Sequence, residues 1–255
     1  MPHILLTNDD GIAAPGLAAL ADALAGLGPF TIAAPSGERS GAAHSISVRR
    51  AVACEPRGEG RWSIDGTPAD SVIIALHKLL ESKPGLVISG INHGANIGQN
   101  IHYSGTVGAA MEATLHHIPA LALSVASRNP VCDFGPAAWL GRQLARLVLE
   151  EPLPDGVLLN VNVPEKWEEA GRVRFTRQSR RITRNALREE RGPGGASFWI
   201  EEIAARESIE PDSDLAALQA GEATITPVCL PGTHEISLNH LSHLAARLES
   251  LLHNR

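Results

Sequence analysis

A doubly wound α/β sheet is the expected architecture for this chain, on three grounds. Short apolar runs alternate with amphipathic stretches through the first half. Those runs are nearly continuous rather than alternating, as strands buried on both faces are. Each ends in turn residues that lead into a helix signal, the spacing of strand–helix–strand crossovers between parallel strands.

The elements follow in order. His3-Ile4-Leu5-Leu6-Thr7 is a strand ended by Asn8-Asp9-Asp10-Gly11. Pro15 and Gly16 open a helix with leucines at 17, 20, 24 and 27 on one stripe, and Gly26 and Gly28-Pro29 stop it. Residues 30–34 form the next strand. Residues 45–48, 52–53 and 62–64 are expected as short strands around the glycine turn at Gly58 and Gly60. Thr67-Pro68-Ala69-Asp70 starts a helix to about Leu80, with Thr67 as cap, Pro68 at N1 and Asp70 at N3. Residues 86–90 are an apolar strand, Ser104-Gly105-Thr106 opens a helix through Met111 and Leu115, and residues 120–125 are a strand. A helix over 136–150 is expected to turn Leu140, Leu144, Leu147 and Val148 inward, before a strand over 157–163. From 171 to 210 the chain is arginine-rich around Gly192-Pro193-Gly194-Gly195 and reads as a projecting β-hairpin or arm. A short helix over 213–220, a strand over 224–228 and an amphipathic helix over 241–252 complete the chain, which has no internal repeat.

At 255 residues the length favours one large domain, 1–255, with the arm at 171–210 and a tail at 229–255 as appendages. An apolar content of 44% with 20% charged residues excludes a disordered chain. The 22 basic residues against 28 acidic ones, a net charge of −6, argue against a duplex nucleic-acid partner, and 4% aromatics leave little for base stacking along a strand. No apolar run spans a bilayer and the N-terminus has no basic n-region, so a soluble cytoplasmic protein with no membrane partner is expected. Cys54, Cys132 and Cys229 lack zinc spacing and are expected as small buried filler in a reducing compartment.

In such sheets ligands bind beyond the carboxyl ends of the strands. Asn8-Asp9-Asp10-Gly11, Arg39-Ser40-Gly41 and the stretch from Ser89 to Gly98 all fall there. Each alone reads equally well as turn, cap or Asx-turn chemistry. Together, Asp9, Asp10, Ser40 and Asn92 make an all-oxygen donor set, suited to Mg²⁺, Mn²⁺ or Ca²⁺ and not to zinc. The helix start at Tyr103-Ser104-Gly105-Thr106 offers free amides to an anion, or is an ordinary cap. His93 and His102 lie inside these loops and read more simply as bystanders than as substrate contacts. Nucleophile-elbow, phosphate-loop and dinucleotide-turn motifs are missing. The rivals to metal-assisted hydrolysis are a nucleotide-binding module without chemistry and an aspartyl-phosphate phosphatase. The latter usually spaces its two aspartates two residues apart, whereas these are adjacent.

These segments, in this order, resemble the SurE family of survival-protein nucleotidases. The likeness is carried by Leu-Thr-Asn-Asp-Asp-Gly at 6–11, Ala-Pro-Gly at 14–16, Ala-Pro-Ser-Gly-Glu-Arg-Ser-Gly at 34–41 and Gly-Thr-Pro-Ala-Asp at 66–70. It continues with Ser-Gly-Ile-Asn-His-Gly-Ala-Asn-Ile-Gly at 89–98, Tyr-Ser-Gly-Thr-Val-Gly-Ala-Ala-Met-Glu-Ala at 103–113, Asn-Val-Asn-Val-Pro at 160–164 and Ile-Thr-Pro-Val at 225–228. The resemblance implies a Rossmann-like three-layer α/β/α sandwich with a C-terminal β-hairpin arm and terminal helix. It implies hydrolysis of nucleoside 5′- and 3′-monophosphates; short-chain polyphosphate as a further substrate belongs to the lesser reading of the arginine run below. Asp9, Asp10, Ser40 and Asn92 would hold one divalent cation per subunit (Mg²⁺ or Mn²⁺, with Ca²⁺ acceptable in a crystal). Asn96, Ser104, Gly105 and Thr106 would hold phosphate, and Asp9, Asp10 and Asn96 would be catalytic, with Asp9 the candidate general base. The expected assembly is a homodimer or homotetramer that exchanges the C-terminal arm. Departures lie after residue 165: Glu222 stands where the family often has an aromatic, and Glu201 and Glu202 follow Phe198-Trp199-Ile200. The run Arg172, Arg174, Arg177, Arg180, Arg181 and Arg184 reads as a solvated or ion-paired arm, with a longer-anion site as the lesser reading.

Overall fold

In the computed structural model, residues 2–127, 129–167, 171–180, 183–192, 195–204 and 209–230 are described. The strands in chain order are β1 (Ile4–Thr7), β2 (Phe30–Pro35), β3 (Cys54–Pro56), β4 (Arg61–Ile64), β5 (Leu86–His93), β6 (Ala120–Ala126), β7 (Val157–Pro164), β8 (Val173–Phe175), β9 (Thr183–Gly192), β10 (Gly195–Ala204) and β11 (Ala223–Cys229). The α-helices are α1 (Pro15–Leu24), α2 (Pro68–Ile74), α3 (Gly105–Leu115), α4 (Gly135–Glu150) and α5 (Asp214–Gln219). One nine-stranded sheet runs β3-β4-β2-β1-β5-β6-β7-β11-β8, and β9 and β10 form a separate antiparallel hairpin. The central six strands, β4 to β7, are parallel, while β3 and β11 run antiparallel to their inner neighbours.

Strand alternation divides the core in two. Ile4, Leu6, Ile88, Leu121 and Leu123 pack with Leu17, Leu20 and Leu24 of α1 and Leu140, Leu144 and Val148 of α4. Leu5, Val87, Ala120 and Leu158 pack with Val72 of α2 and Val107, Ala110 and Ala113 of α3. The molecule is therefore a Rossmann-like α/β/α sandwich. The chain crosses from β1 to β2 on one side and later returns to β5 on the other, so the switch point lies between β1 and β5.

Several expectations are corrected. No strand forms over 45–53. Thr67 Oγ1 donates to Ser45 O at 2.7 Å and Ser47 N donates to Asp70 Oδ1 at 2.8 Å, so side chains take the backbone groups a ladder would use. Arg49 also has φ 64°, outside the strand region. Leu147 is 58% exposed: the inward stripe is Leu140, Leu144 and Val148, and Leu147 falls off it. The helix from Thr67 reaches Leu79, but its last turn, Ala75–Leu79, is π-helical, with Leu80 N donating to Ala75 O. None of the three cysteines is buried. The expected helix over 241–252, most of the 229–255 tail, and Arg181 lie outside the described residues.

The start of α2 is a closed local unit. Thr67 Oγ1 accepts from Asp70 N at 3.0 Å and Asp70 Oδ2 accepts from Thr67 N at 2.8 Å. Burial alone would raise the Asp70 carboxyl, but the amides of Ser47 and Thr67 outweigh it and hold the carboxyl below its usual value. A folded-state value below the unfolded one stabilises above the unfolded pKa, and that stabilisation is lost as pH falls through the folded pKa. Asp70→Asn is therefore expected to lose about 1 kcal/mol at neutral pH by urea unfolding. The gap to wild type should narrow below about pH 4.

Candidate functional site

The loops after β1, β2 and β5 converge at the switch point. Asn8 closes the first: its Nδ2 donates to Gly11 O at 2.9 Å and its Oδ1 accepts from Gly11 N at 3.2 Å. Gly11, at φ 103°, packs so near Gly37 that a Cβ would lie 3.0 Å from that residue's backbone. This turn presents Asp9 and Asp10 past the strand end. Arg39 N donates to Asp9 O at 2.7 Å and His93 N donates to Asp10 Oδ2 at 3.3 Å, tying the Ser40 and Asn92 loops to the aspartates.

Asp9 is buried against the start of α3. Its Oδ1 accepts from Thr106 Oγ1, and the amides of Gly105 and Thr106 favour its ionised form. Position 105 has to be glycine, since a Cβ there would lie 2.9 Å from Asp9 Cβ. Burial nevertheless raises the Asp9 carboxyl. Asp10 is pushed up to about 6, by burial first, then by the neighbouring charges of Asp9 and Glu38, against the His93 amide. Among the described residues no lysine or arginine pairs with either aspartate; the nearby Arg39 guanidinium pairs instead with Asp65 at 2.9 Å. Two adjacent carboxylates, both pushed toward neutrality and with no paired lysine or arginine among the described residues, are the electrostatic environment that a divalent ion relieves.

The remaining expected residues are placed as follows. Ser40 is exposed, its Oγ donating to Glu38 Oε1 at 2.7 Å. Asn92 Nδ2 donates to Gly94 O at 2.7 Å, a local loop bond that leaves Oδ1 for other partners. Asn96 is buried and its Nδ2 donates to Ser124 Oγ at 3.0 Å. Ser104 caps α3, accepting from Val107 N at 3.2 Å, and Thr106 supports Asp9. His102 is exposed, and His93 stacks edge-on to Phe134 at 6.3 Å between ring centroids. Among the described residues no group of three or more His, Cys, Asp or Glu side chains is arranged to hold a metal. A cation here would rest on two carboxylates and neutral oxygens, a hard-cation donor set.

Around this centre the α2/α3 face of the sheet turns polar. Thr7, Ser89, Ala122, Asn160 and Thr226 are successive cross-strand partners, two residues beyond the apolar Leu5, Val87, Ala120 and Leu158. Thr7 Oγ1, Ser89 Oγ and Asn160 Oδ1 are buried with no partner among the described residues.

Sequence reading missed Ser124, Asn160, Asn162, His44 and Glu112. The asparagines had a signal: positions 160 and 162 alternate in an otherwise apolar strand, which puts both on one face. His44 and Glu112 had none. His44 Nε2 bonds Glu112 Oε2 at 2.8 Å, and His116 approaches Oε1 at 3.3 Å. His44 first, then His116, holds the Glu112 carboxyl below its usual value against burial. This clamp seats the loop that follows Ser40 on α3, where Ala43 O comes so close that a Cβ at Gly108 would lie 2.3 Å away. Among the described arginines of the arm region, Arg174 pairs with Glu222, Arg177 with Asp212 and Arg180 with Glu210.

The family model described as Survival protein SurE matches residues 4–185. A protein named 5′-nucleotidase SurE from Pelobacter propionicus is 41% identical over 238 residues, covering 92% of this chain and 96% of that one. Its namesake from Methylococcus capsulatus is 40% identical over 241 residues, covering 94% and 96%. The crystal structure of the SurE protein from Aquifex aeolicus superposes with a TM-score of 0.86 at 34% identity, covering 96% of this chain and all of that one.

The close approach at Gly108 gives a direct test of the clamp. Gly108→Ala is expected to cost about 1–3 kcal/mol in urea unfolding, because the added methyl meets backbone that cannot retreat without moving His44.

Proposed function

Since this chain belongs to the survival protein SurE family, we propose that its site is that of a 5′-nucleotidase dependent on one divalent cation, Mg²⁺ or Mn²⁺. The observation that carries the reading is the Asp9–Asp10 pair, Asp9 buried beside the start of α3 and Asp10 half-buried next to it, with no lysine or arginine paired to either among the described residues. Asp9, Asp10, Ser40 and Asn92 would hold the ion. When bound, such an ion supplies Lewis-acid stabilisation of phosphoryl oxygens and activation of water.

The chain's own residues do the rest. Thr106 and the first amides of α3 orient Asp9, which accepts a proton from the attacking water as general base. Asn96 with the Ser104-Gly105-Thr106 turn holds the phosphoryl group, the helix N-terminus stabilising charge on its oxygens. Hydrolysis of 3′-monophosphates belongs to the same proposal, since nothing in this cradle depends on which ribose oxygen leaves. Short-chain polyphosphate gains less support, because Arg174, Arg177 and Arg180 already face acidic partners.

The assembly proposed is a single domain, 1–255, forming a homodimer or homotetramer through the arm and the tail. Leu187, Phe198 and Ile200, which register and strand alternation put on one face of the hairpin, are all more than half exposed, an apolar surface suited to a second copy. A cytoplasmic location is part of the same reading; among the described residues no helix is long and apolar enough to cross a membrane.

Phosphate release from 5′-AMP, 5′-GMP, 3′-AMP and p-nitrophenyl phosphate by chelator-treated protein tests the proposal. Activity should return with Mg²⁺ or Mn²⁺ and be abolished in Asp10→Ala. Asn92→Ala should lose about 10–100-fold at limiting metal. Folded protein that binds nucleotide but releases no phosphate with any metal would leave a binding module instead.

A further inference from the structure

Two short pieces of backbone in the loop after β5 are held by side chains from distant elements. Asn96 N donates to Asn162 Oδ1 at 2.8 Å, and Asn96 O accepts from Asn160 Nδ2 at 2.7 Å and Asn162 Nδ2 at 3.1 Å. Two residues later, Gly98 N donates to Asp214 Oδ2 at 2.9 Å and Gly98 O accepts from Gln178 Nε2 at 2.8 Å. Gly98 has φ 51°, a left-handed conformation that glycine adopts without strain.

Asp214 is fully buried. Its Oδ1 accepts from Ser179 N at 3.0 Å, from Ser179 Oγ and from Leu215 N at 2.7 Å. One carboxylate thus joins the site loop, the chain entering the arm and the first turn of α5. Gln99 Nε2 adds bonds to Thr183 O at 2.7 Å and Thr183 Oγ1 at 2.8 Å, at the first residue of β9. The base of the arm is therefore hydrogen-bonded to the loop that carries Asn96, and the far end of that loop is pinned to β7.

We infer that Gln178 and Asp214 are positioning residues, which transmit the seating of the arm base through Gly98 to Asn96. The inference rests on the phosphomonoesterase reading above only for its catalytic consequence. Asn96 sits between two anchors. Release of the Gly98 anchor lets it shift, and misplacement of a phosphate-holding group by about 1 Å is enough to cost about a hundredfold in rate. The effect falls on kcat, because the substrate still finds the metal ligands and the α3 amides.

The test uses Gln178→Ala, a mild change at an exposed residue, and Asp214→Asn, which places an amide before the Gly98 N–H. Three readouts are taken on full-length protein: steady-state hydrolysis of 5′-AMP at saturating metal, assembly size by light scattering, and hydrogen exchange of the peptide spanning 94–102. Gln178→Ala should lower kcat about tenfold or more with KM within about twofold, the assembly unchanged and exchange in 94–98 faster. Unchanged kcat and exchange in both variants overturn the inference. So does activity lost only in step with assembly, which would make the arm act through oligomerisation alone. A wild type that hydrolyses no phosphomonoester sinks the functional reading, and the exchange data then decide the positioning on their own.

Discussion

Two carboxyls on consecutive residues, Asp9 buried and Asp10 half-buried, with no lysine or arginine paired to either among the described residues, are the constraint on which the site depends. A sheet strand sends adjacent side chains to opposite faces, so Asp9 and Asp10 can face a common point only after β1 has ended. Asn8 and Gly11 make that ending, by closing a turn too tight for a side chain at position 11. The start of α3 then meets Asp9 with a hydroxyl and two amides, and the His93 amide meets Asp10. These contacts lessen the cost of burying the pair without removing it, which is why both carboxyls remain raised.

The rest of the fold serves to bring loops to that corner. A switch point between β1 and β5 gathers the connections after β1, β2 and β5 on one edge of the sheet. Each loop is then fixed by side chains reaching across it: His44 to Glu112, Ser47 to Asp70, Asn96 to Asn160 and Asn162, Gly98 to Asp214. Backbone ladders hold the strands, whereas the loops rest on side chains as well as on backbone bonds such as Arg39 N to Asp9 O. Asn160 and Asn162, at the polar carboxyl edge of the sheet, are two of these loop-holding side chains.

Local features of this design were legible in the residues, and long-range ones were not. The capping box at Thr67-Pro68-Ala69-Asp70 is written in four consecutive positions and formed as read. The central parallel strands were visible as continuous apolar runs, and the hairpin as a turn-centred arm. The stretch 45–53 was misread because its residues suit a strand, while Asp70 and Thr67, from another element, claim its backbone. For the site, the loops bearing Asp9, Asp10, Ser40 and Asn92 could be placed at strand ends, but the Asp9–Thr106 and His44–Glu112 pairings span 97 and 68 residues. No periodicity reports on pairs that far apart. The helix start over 104–106 reads either as an anion cradle or as an ordinary cap; in the structure Ser104 caps it and Thr106 meets the Asp9 carboxyl.

The most direct test of the uncompensated pair is urea unfolding of wild type and Asp10→Asn above neutral pH, with chelator and then with Mn²⁺. Without metal, the substitution removes a half-buried like charge beside Asp9, so Asp10→Asn should unfold at higher urea than wild type. With Mn²⁺ the order should reverse, because binding to the native state stabilises only a protein that keeps both carboxylates. An Asp10→Asn protein that is less stable than wild type without metal, and unmoved relative to it by Mn²⁺, would contradict the account. It would show Asp10 to be a structural acceptor for the His93 loop rather than half of a cation site.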